Sequence, residues 1–206
     1  MKVANKQFGL LAALMLLSFF FTSCGGSDES EDNGKKSPYE TNSFVSEWYC
    51  PSNYTYYNIV LFNFEGEVYE SGSSTGEIYD TVSGIWSFMP SNNMLRMTMK
   101  YSKRIDSTTT DFKVIDLNTY SMHLKNTDLN TDLVFSKVVA GKTLSVGDSY
   151  TISYSNADFQ SPAYSSSSSA VATVNASGEV SAVSAGNAFI SIKQGDKQVF
   201  VKIAVK

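Results

Sequence analysis

Hydrophobic and polar positions alternate along the chain from Asn42 to Val139, with no sustained 3.6-residue period, so the pattern predicts strands. Leu95, Met97, Met99 and Tyr101 alternate with Arg96, Thr98 and Lys100, which reads as one half-buried strand. Earlier, Val60, Phe62 and Phe64 share a face, and Glu65-Gly66 supplies a hairpin turn into Val68-Tyr69. Ile85-Trp86-Ser87-Phe88 is a further strand, closed by Pro90-Ser91-Asn92-Asn93. Past a polar stretch, Phe112, Val114 and Asp116 are expected on one face, with Ile115 and Leu117 on the other. The turn at Asn118-Thr119 leads into Tyr120, Met122 and Leu124, alternating with Ser121, His123 and Lys125; His123 thus belongs to the polar face. A last strand, Leu133-Val134-Phe135, is expected to end near Val139. About eight short strands with short turns favour an antiparallel meander closed into a barrel or flattened sandwich, because closure removes exposed edges.

From Lys142 the texture shifts to Ala, Ser and small β-branched residues without tryptophan, and Ala140-Gly141-Lys142 is a candidate boundary. Tyr150, Ile152 and Tyr154 alternate as a strand. So do Val171 with Thr173, Ala188 with Ile190 and Ile192, and Val199 with Val201, Ile203 and Val205. Asn175-Ala176-Ser177-Gly178 and Gln194-Gly195-Asp196 are the turns between them. Regular short strands with closely spaced turns indicate a β-sandwich.

The alternation fails at the N-terminus. Lys2 and Lys6 precede an apolar run from Phe8 to Phe21, with Thr22-Ser23-Cys24 behind it. Because about 20 apolar residues are needed to cross a bilayer, this reads as a secretory signal over residues 1–23 and not as a span. Residues 25–39, GGSDESEDNGKKSPY, carry Asp28, Glu29, Glu31 and Asp32 and no apolar side chain before Tyr39. Such a segment buries too little surface to offset its ordering entropy, so residues 24–40 are expected to form a flexible tether with a reach of about 20 Å.

Charge then narrows the partners. Without Lys2 and Lys6 the 16 basic residues become 14 against 20 acidic ones, a net charge near −6. A balance of that sign argues against nucleic acid, which requires clustered Lys and Arg. It also argues against an electrostatic hold on anionic lipid.

Phe21-Thr22-Ser23-Cys24 resembles the lipobox of bacterial lipoproteins, in which the cysteine is lipidated and becomes the first residue of the mature chain. That resemblance implies lipidation of Cys24 and leaves Cys50, in the apolar setting Trp48-Tyr49-Cys50-Pro51, as a buried small hydrophobe. Ser27-Asp28-Glu29-Ser30-Glu31-Asp32 resembles the acidic export signal of Bacteroidetes surface lipoproteins. Residues 41–139 resemble the lipocalin-like domains of such lipoproteins, through Trp48, the hairpin Leu61-Phe62-Asn63-Phe64-Glu65-Gly66-Glu67-Val68 and the strand Gly84-Ile85-Trp86-Ser87-Phe88. Ser46 stands where a glycine is usual before the tryptophan. Residues 140–206 resemble the bacterial immunoglobulin-like (Ig-like) domain, group 2. The matching pieces are Leu144-Ser145-Val146-Gly147-Asp148, Tyr164 through Val171-Ala172-Thr173-Val174, Ser177 to Val183 and Ala185-Gly186-Asn187-Ala188-Phe189-Ile190. Tyr164 stands for the family's usual tryptophan and Ser165–Ser169 for its Ser-Asp-Pro loop.

Candidate chemistry is sparse. With one histidine, a His/Cys zinc cluster is not available, and neither a metal nor a cofactor is expected. A Cys50–His123 nucleophile pair lacks the neighbouring charge that activates a thiolate. Glu65, Glu67 and Glu70 lie near a hairpin, where outward polar residues are ordinary, so a carboxylate pair of Glu67 with Glu77 or Asp80 is a weak reading. Tyr54, Tyr56 and Tyr57, in Tyr54-Thr55-Tyr56-Tyr57-Asn58, are candidate glycan contacts, since aromatic rings stack on sugar faces while amides reach hydroxyls; strand packing is the plain alternative. Asp80-Thr81-Val82 and Asp106-Ser107-Thr108 resemble O-glycosylation sites of Bacteroides exported proteins, which implies Thr81 and Ser107 as acceptors if exposed.

The expectation is therefore an all-β, non-enzymatic lipoprotein, held by its lipid at the outer membrane and facing the cell surface. Binding, adhesion or membership of a surface assembly is its expected role, with a protein or glycan partner. Two alternatives stand beside it: a carrier of a small apolar ligand against Trp86, Met97, Met99 and Phe112, and an inhibitor or structural envelope protein.

Overall fold

The computed structural model describes residues 37–51, 59–71, 82–100, 107–154 and 156–206. Eight strands run antiparallel in sequence order: β1 (Ser46–Tyr49), β2 (Ile59–Phe62), β3 (Glu67–Ser71), β4 (Val82–Met89), β5 (Met94–Lys100), β6 (Ser107–Leu117), β7 (Ser121–Asn126) and β8 (Asp132–Leu144). Strand β1 returns to β8 through Glu47↔Val138, Trp48↔Lys137 and Tyr49↔Ser136, so the meander closes into a barrel. Beyond it come β9 (Ser149–Thr151), β10 (Ala163–Ser166), β11 (Ala172–Val174), β12 (Glu179–Ala182), β13 (Gly186–Gln194) and β14 (Lys197–Val205). One sheet of this sandwich, β14-β13-β10, continues the barrel sheet from β8; the other is β11-β12-β9. All-β architecture, with a barrel followed by a smaller sandwich, is what the alternating pattern predicts.

Alternate residues of the barrel strands meet inside. Trp48, Val60, Phe62, Val68, Trp86, Phe88, Leu95, Met97, Met99 and Phe112 belong to one buried cluster. A 3-10 helix, Thr41–Phe44, sets Phe44 into the same cluster with no exposure. Its ring lies 4.9 Å from Phe88, 5.9 Å from Trp86 and 6.5 Å from Phe62, centroid to centroid. The buried Trp48 indole donates to the Phe44 carbonyl at 2.8 Å, which satisfies its one polar atom and fixes how the chain enters β1.

Three places depart from the expected faces. Phe64 does not share the inner face with Phe62 and is 75% exposed. Asn63 ends the strand instead: its side-chain oxygen accepts from the Glu67 amide at 2.8 Å, and Gly66 (φ +80°) completes the turn. In β6 the register against β7 shifts between Val114 and Asp116. The extra residue turns Leu117 inward beside Phe112 and Val114 and Asp116 outward, each opposite to its expected face, while Ile115, 42% exposed, keeps the face opposite Val114 that the pattern assigns it. Glu70, expected outward at the hairpin, sits on the inner face two residues after Val68 and opposite Val60. Burial there pushes its carboxyl up to about 7.

Strand β8 does not stop near Val139. It runs to Leu144 because it exchanges partners as it goes: Asp132 to Ser136 pair with β7, Ser136 to Val138 with β1, and Lys137 to Leu144 lie parallel to β14. Ala140-Gly141-Lys142 is therefore mid-strand, and Val201, Lys202 and Ile203 lie opposite it. By contrast, the strand expected from Tyr150 to Tyr154 is limited to Ser149–Thr151. Ile152 still turns inward at 8% exposure, its amide donating to the Gly178 carbonyl at 3.0 Å.

In β13, Ala188 through Ile192 are buried without alternation. One face, with Ala188, Ile190, Ile192, Val199, Val201 and Ile203, forms the sandwich core. The other carries Phe189 and Phe200, which pack on Tyr49, Ile59 and Val138. A strand covered on both sides reads as a continuous apolar run, which explains Phe189-Ile190 and Val199-Phe200-Val201.

Candidate functional site at the domain junction

Several candidates from the sequence lie outside the described residues: Cys24, Tyr54, Tyr56, Tyr57, Thr81, Glu77 and Asp80. Ser107 is described; it opens β6, exposed, opposite Lys100. Cys50 is buried in the barrel cluster, whereas His123 is directed outward from β7 with Nε2 2.9 Å from Asp132 Oδ1, so the barrel wall separates the two. Glu67 is outward and exposed. Its carboxylate accepts from the Tyr69 hydroxyl and the Asn63 amide, each at 2.8 Å, which holds it below the usual carboxylate range. Among the described residues no group of three or more His, Cys, Asp or Glu side chains could hold a metal.

The structure brings a different set together, where the sandwich meets the barrel. On one side Tyr49 stacks on Phe189, and Phe200 meets Tyr49 edge-on at 4.8 Å. Lys202 donates to Glu47 at 2.9 Å beside them, and both are largely covered. On the other side Tyr120, in the β6-β7 turn of the barrel, donates to Asp158 in the sandwich, and Lys197 from the β13-β14 hairpin donates to the same carboxylate. The Lys197 ammonium also lies 5.7 Å from the Tyr120 ring centroid. These bonds hold Asp158 below the usual carboxylate range, the lysine contact first and the phenol second, and the bond to Asp158 raises the Tyr120 phenol.

Next to this latch is an open cleft of about 470 Å³ in the loop after β9, lined by Ile152, Ser153, Tyr154, Asn156, Ala157, Phe159 and Gln160. The sequence builds it locally. Asn156 accepts the Asp158 amide on its side-chain oxygen at 2.9 Å, and the Phe159 amide returns to the Asn156 carbonyl at 2.9 Å, closing a turn. Phe159 is thereby carried under the loop, 5.5 Å from both Tyr120 and Tyr154 in edge contacts. The Asn156 amide is 3.4 Å from the Tyr154 hydroxyl. A second cleft, of about 340 Å³, lies at the end of the barrel near the 3-10 helix and includes Ser43, Asn118 and Lys137. Lys137 is there set 5.8 Å from the Trp48 ring.

Alternation could not reveal the first cleft, because its residues lie in an irregular loop. The usable signal was one large apolar residue, Phe159, inside the mostly polar stretch Asn156 to Ser161. Comparison with known families matches residues 136–204 to the bacterial Ig-like domain (group 2). The matched region begins inside β8, one residue before its pairing with β14 starts at Lys137. The C-terminal sandwich is thus Ig-like, and its first strand is the last strand of the barrel. A search among curated proteins found no match to the chain.

Proposed function

We propose that this chain is a lipid-anchored cell-envelope protein that binds or adheres at the cell surface and carries out no catalysis. The observation that carries this reading is the parallel pairing of β8 with β14, which makes the barrel and the Ig-like sandwich one continuous sheet. A continuous sheet, with aromatic packing and ion pairs on both flanks, presents its surfaces in a fixed relation. That suits recognition, where pre-organisation lowers the ordering cost of binding. The signal-like N-terminus and Cys24 support the anchor, and the Ig-like match supports an interaction role by analogy. The carrier alternative is disfavoured. Trp86, Met97, Met99 and Phe112 lie at 3–8% exposure within a single packed cluster that Phe44 also enters.

Fractionation of native cells tests the anchor: Cys24→Ala is expected to move the protein out of the membrane fraction. Purification from native membranes with partners retained tests the role. Recovery of a reproducible surface partner supports it, while turnover of a substrate by the purified protein overturns it.

A further inference from the structure

We infer that the cleft between Ile152 and Gln160 is a binding site for an uncharged sugar residue of a glycan, an inference that rests on the binding role proposed above. Among the described residues its lining contains no charged side chain. What it offers are groups that both donate and accept: the amides of Asn156 and Gln160 and the hydroxyls of Ser153 and Tyr154. Sugar hydroxyls also both donate and accept, so this set matches them in kind. The half-buried Tyr154 ring supplies an amphipathic aromatic of the sort that packs against the C–H face of a pyranose.

Other ligand classes fit less well. An anion would need a cation, and Lys197, which reaches this loop, is already paired with Asp158. An apolar ligand would need apolar surface, yet Phe159 is only 5% exposed. At about 470 Å³ the cleft falls within the roughly 300–1,000 Å³ range of small-molecule sites. It is also held in shape before any ligand arrives. Asn156 is fixed by the Asp158 amide, Phe159 by two tyrosine rings, and Asp158 by Lys197 of the same sandwich and by Tyr120 across the junction. A loop tied to the neighbouring domain keeps its amides in place.

The test uses the full chain, purified in detergent, on an array of neutral and acidic oligosaccharides, followed by titration of any neutral sugar that binds. Saturable binding of a neutral glycan is expected, weakened at least tenfold by Gln160→Ala and by Tyr154→Leu and unchanged by Tyr56→Ala. Gln160 is exposed, so its variant decides the matter should Tyr154→Leu fail to fold. Neutral-sugar binding that survives Gln160→Ala, or that is lost in Tyr56→Ala instead, overturns the assignment of this cleft. So does binding of acidic glycans alone. An array with no bound glycan, combined with capture of a protein partner from native membranes, overturns the sugar inference and leaves the binding role standing.

Discussion

Tyr49 and Phe189 stack with ring centroids 4.0 Å apart and planes 9° from parallel, joining the first strand of the barrel to the sandwich. Both are nearly buried, and the covering of Tyr49 raises its phenol above the ordinary value. The stack lies on the barrel's outer face, where an isolated barrel would have presented Tyr49 to water.

Removing this contact should uncouple the domains. Phe189→Ala is expected to cost about 3–5 kcal/mol, the usual range for a large aromatic deleted from a packed interior. Both tryptophans, Trp48 and Trp86, are in the barrel, so their fluorescence reports that domain, while far-ultraviolet circular dichroism reports both. In urea the two signals should coincide for the native protein and separate for Phe189→Ala. Separate transitions in the native protein would refute the coupling.

The shared strand makes a second prediction. A fragment starting at Val146 leaves β14 without its parallel partner β8 and should be unfolded or aggregated, since a bared strand edge invites pairing with other chains. Starting at Ser136 restores the partner. Amide exchange of Val201 and Ile203 should be slow in the longer fragment and fast in the shorter one.

Glu70 gives a pH dependence of definite sign. Its carboxyl titrates near 7 in the folded barrel against 4.5 when free. Below pH 4.5 both states hold the proton and the residue is neutral in its effect. Between these values only the folded state holds it, so stability falls as pH rises, by up to about 3 kcal/mol in total. Glu70→Gln should abolish that component, matching the native protein near pH 4.5 and exceeding it at pH 8. Equal slopes of urea midpoint against pH for the two proteins would show that the carboxyl is not desolvated.

Two glycines should respond in opposite ways to alanine. At Gly178 φ is +80° and a Cβ would come within 2.9 Å of the Tyr164 ring, so Gly178→Ala should lower stability by about 1–3 kcal/mol. At Gly141 a Cβ meets nothing within 4 Å in the middle of β8, and Gly141→Ala should be neutral or stabilising by about 0.5–1 kcal/mol. Thermal midpoints of the two variants decide both.

Period-two alternation alone determined the all-β class, the number of barrel strands and most of the inner face, because a strand with one wet side must alternate. Leu95, Met97 and Met99, or Met122 and Leu124, are inward where the pattern put them. The Ig-like character of the C-terminal part was equally legible, through its glycine turns and small apolar repeats. The tertiary structure decided what alternation cannot encode. A single extra residue in β6 exchanged the faces of Asp116 and Leu117, and pairing opposite Val60 carried Glu70 inward. Above all, β8 found a third partner 62 residues away, Lys137 opposite Val199, and so continued through a stretch whose composition marks a break. Backbone pairing depends on which strand lies alongside. For that reason Phe189 and Phe200, surplus to one core, could be assigned to the junction only once the two domains were seen sharing a sheet.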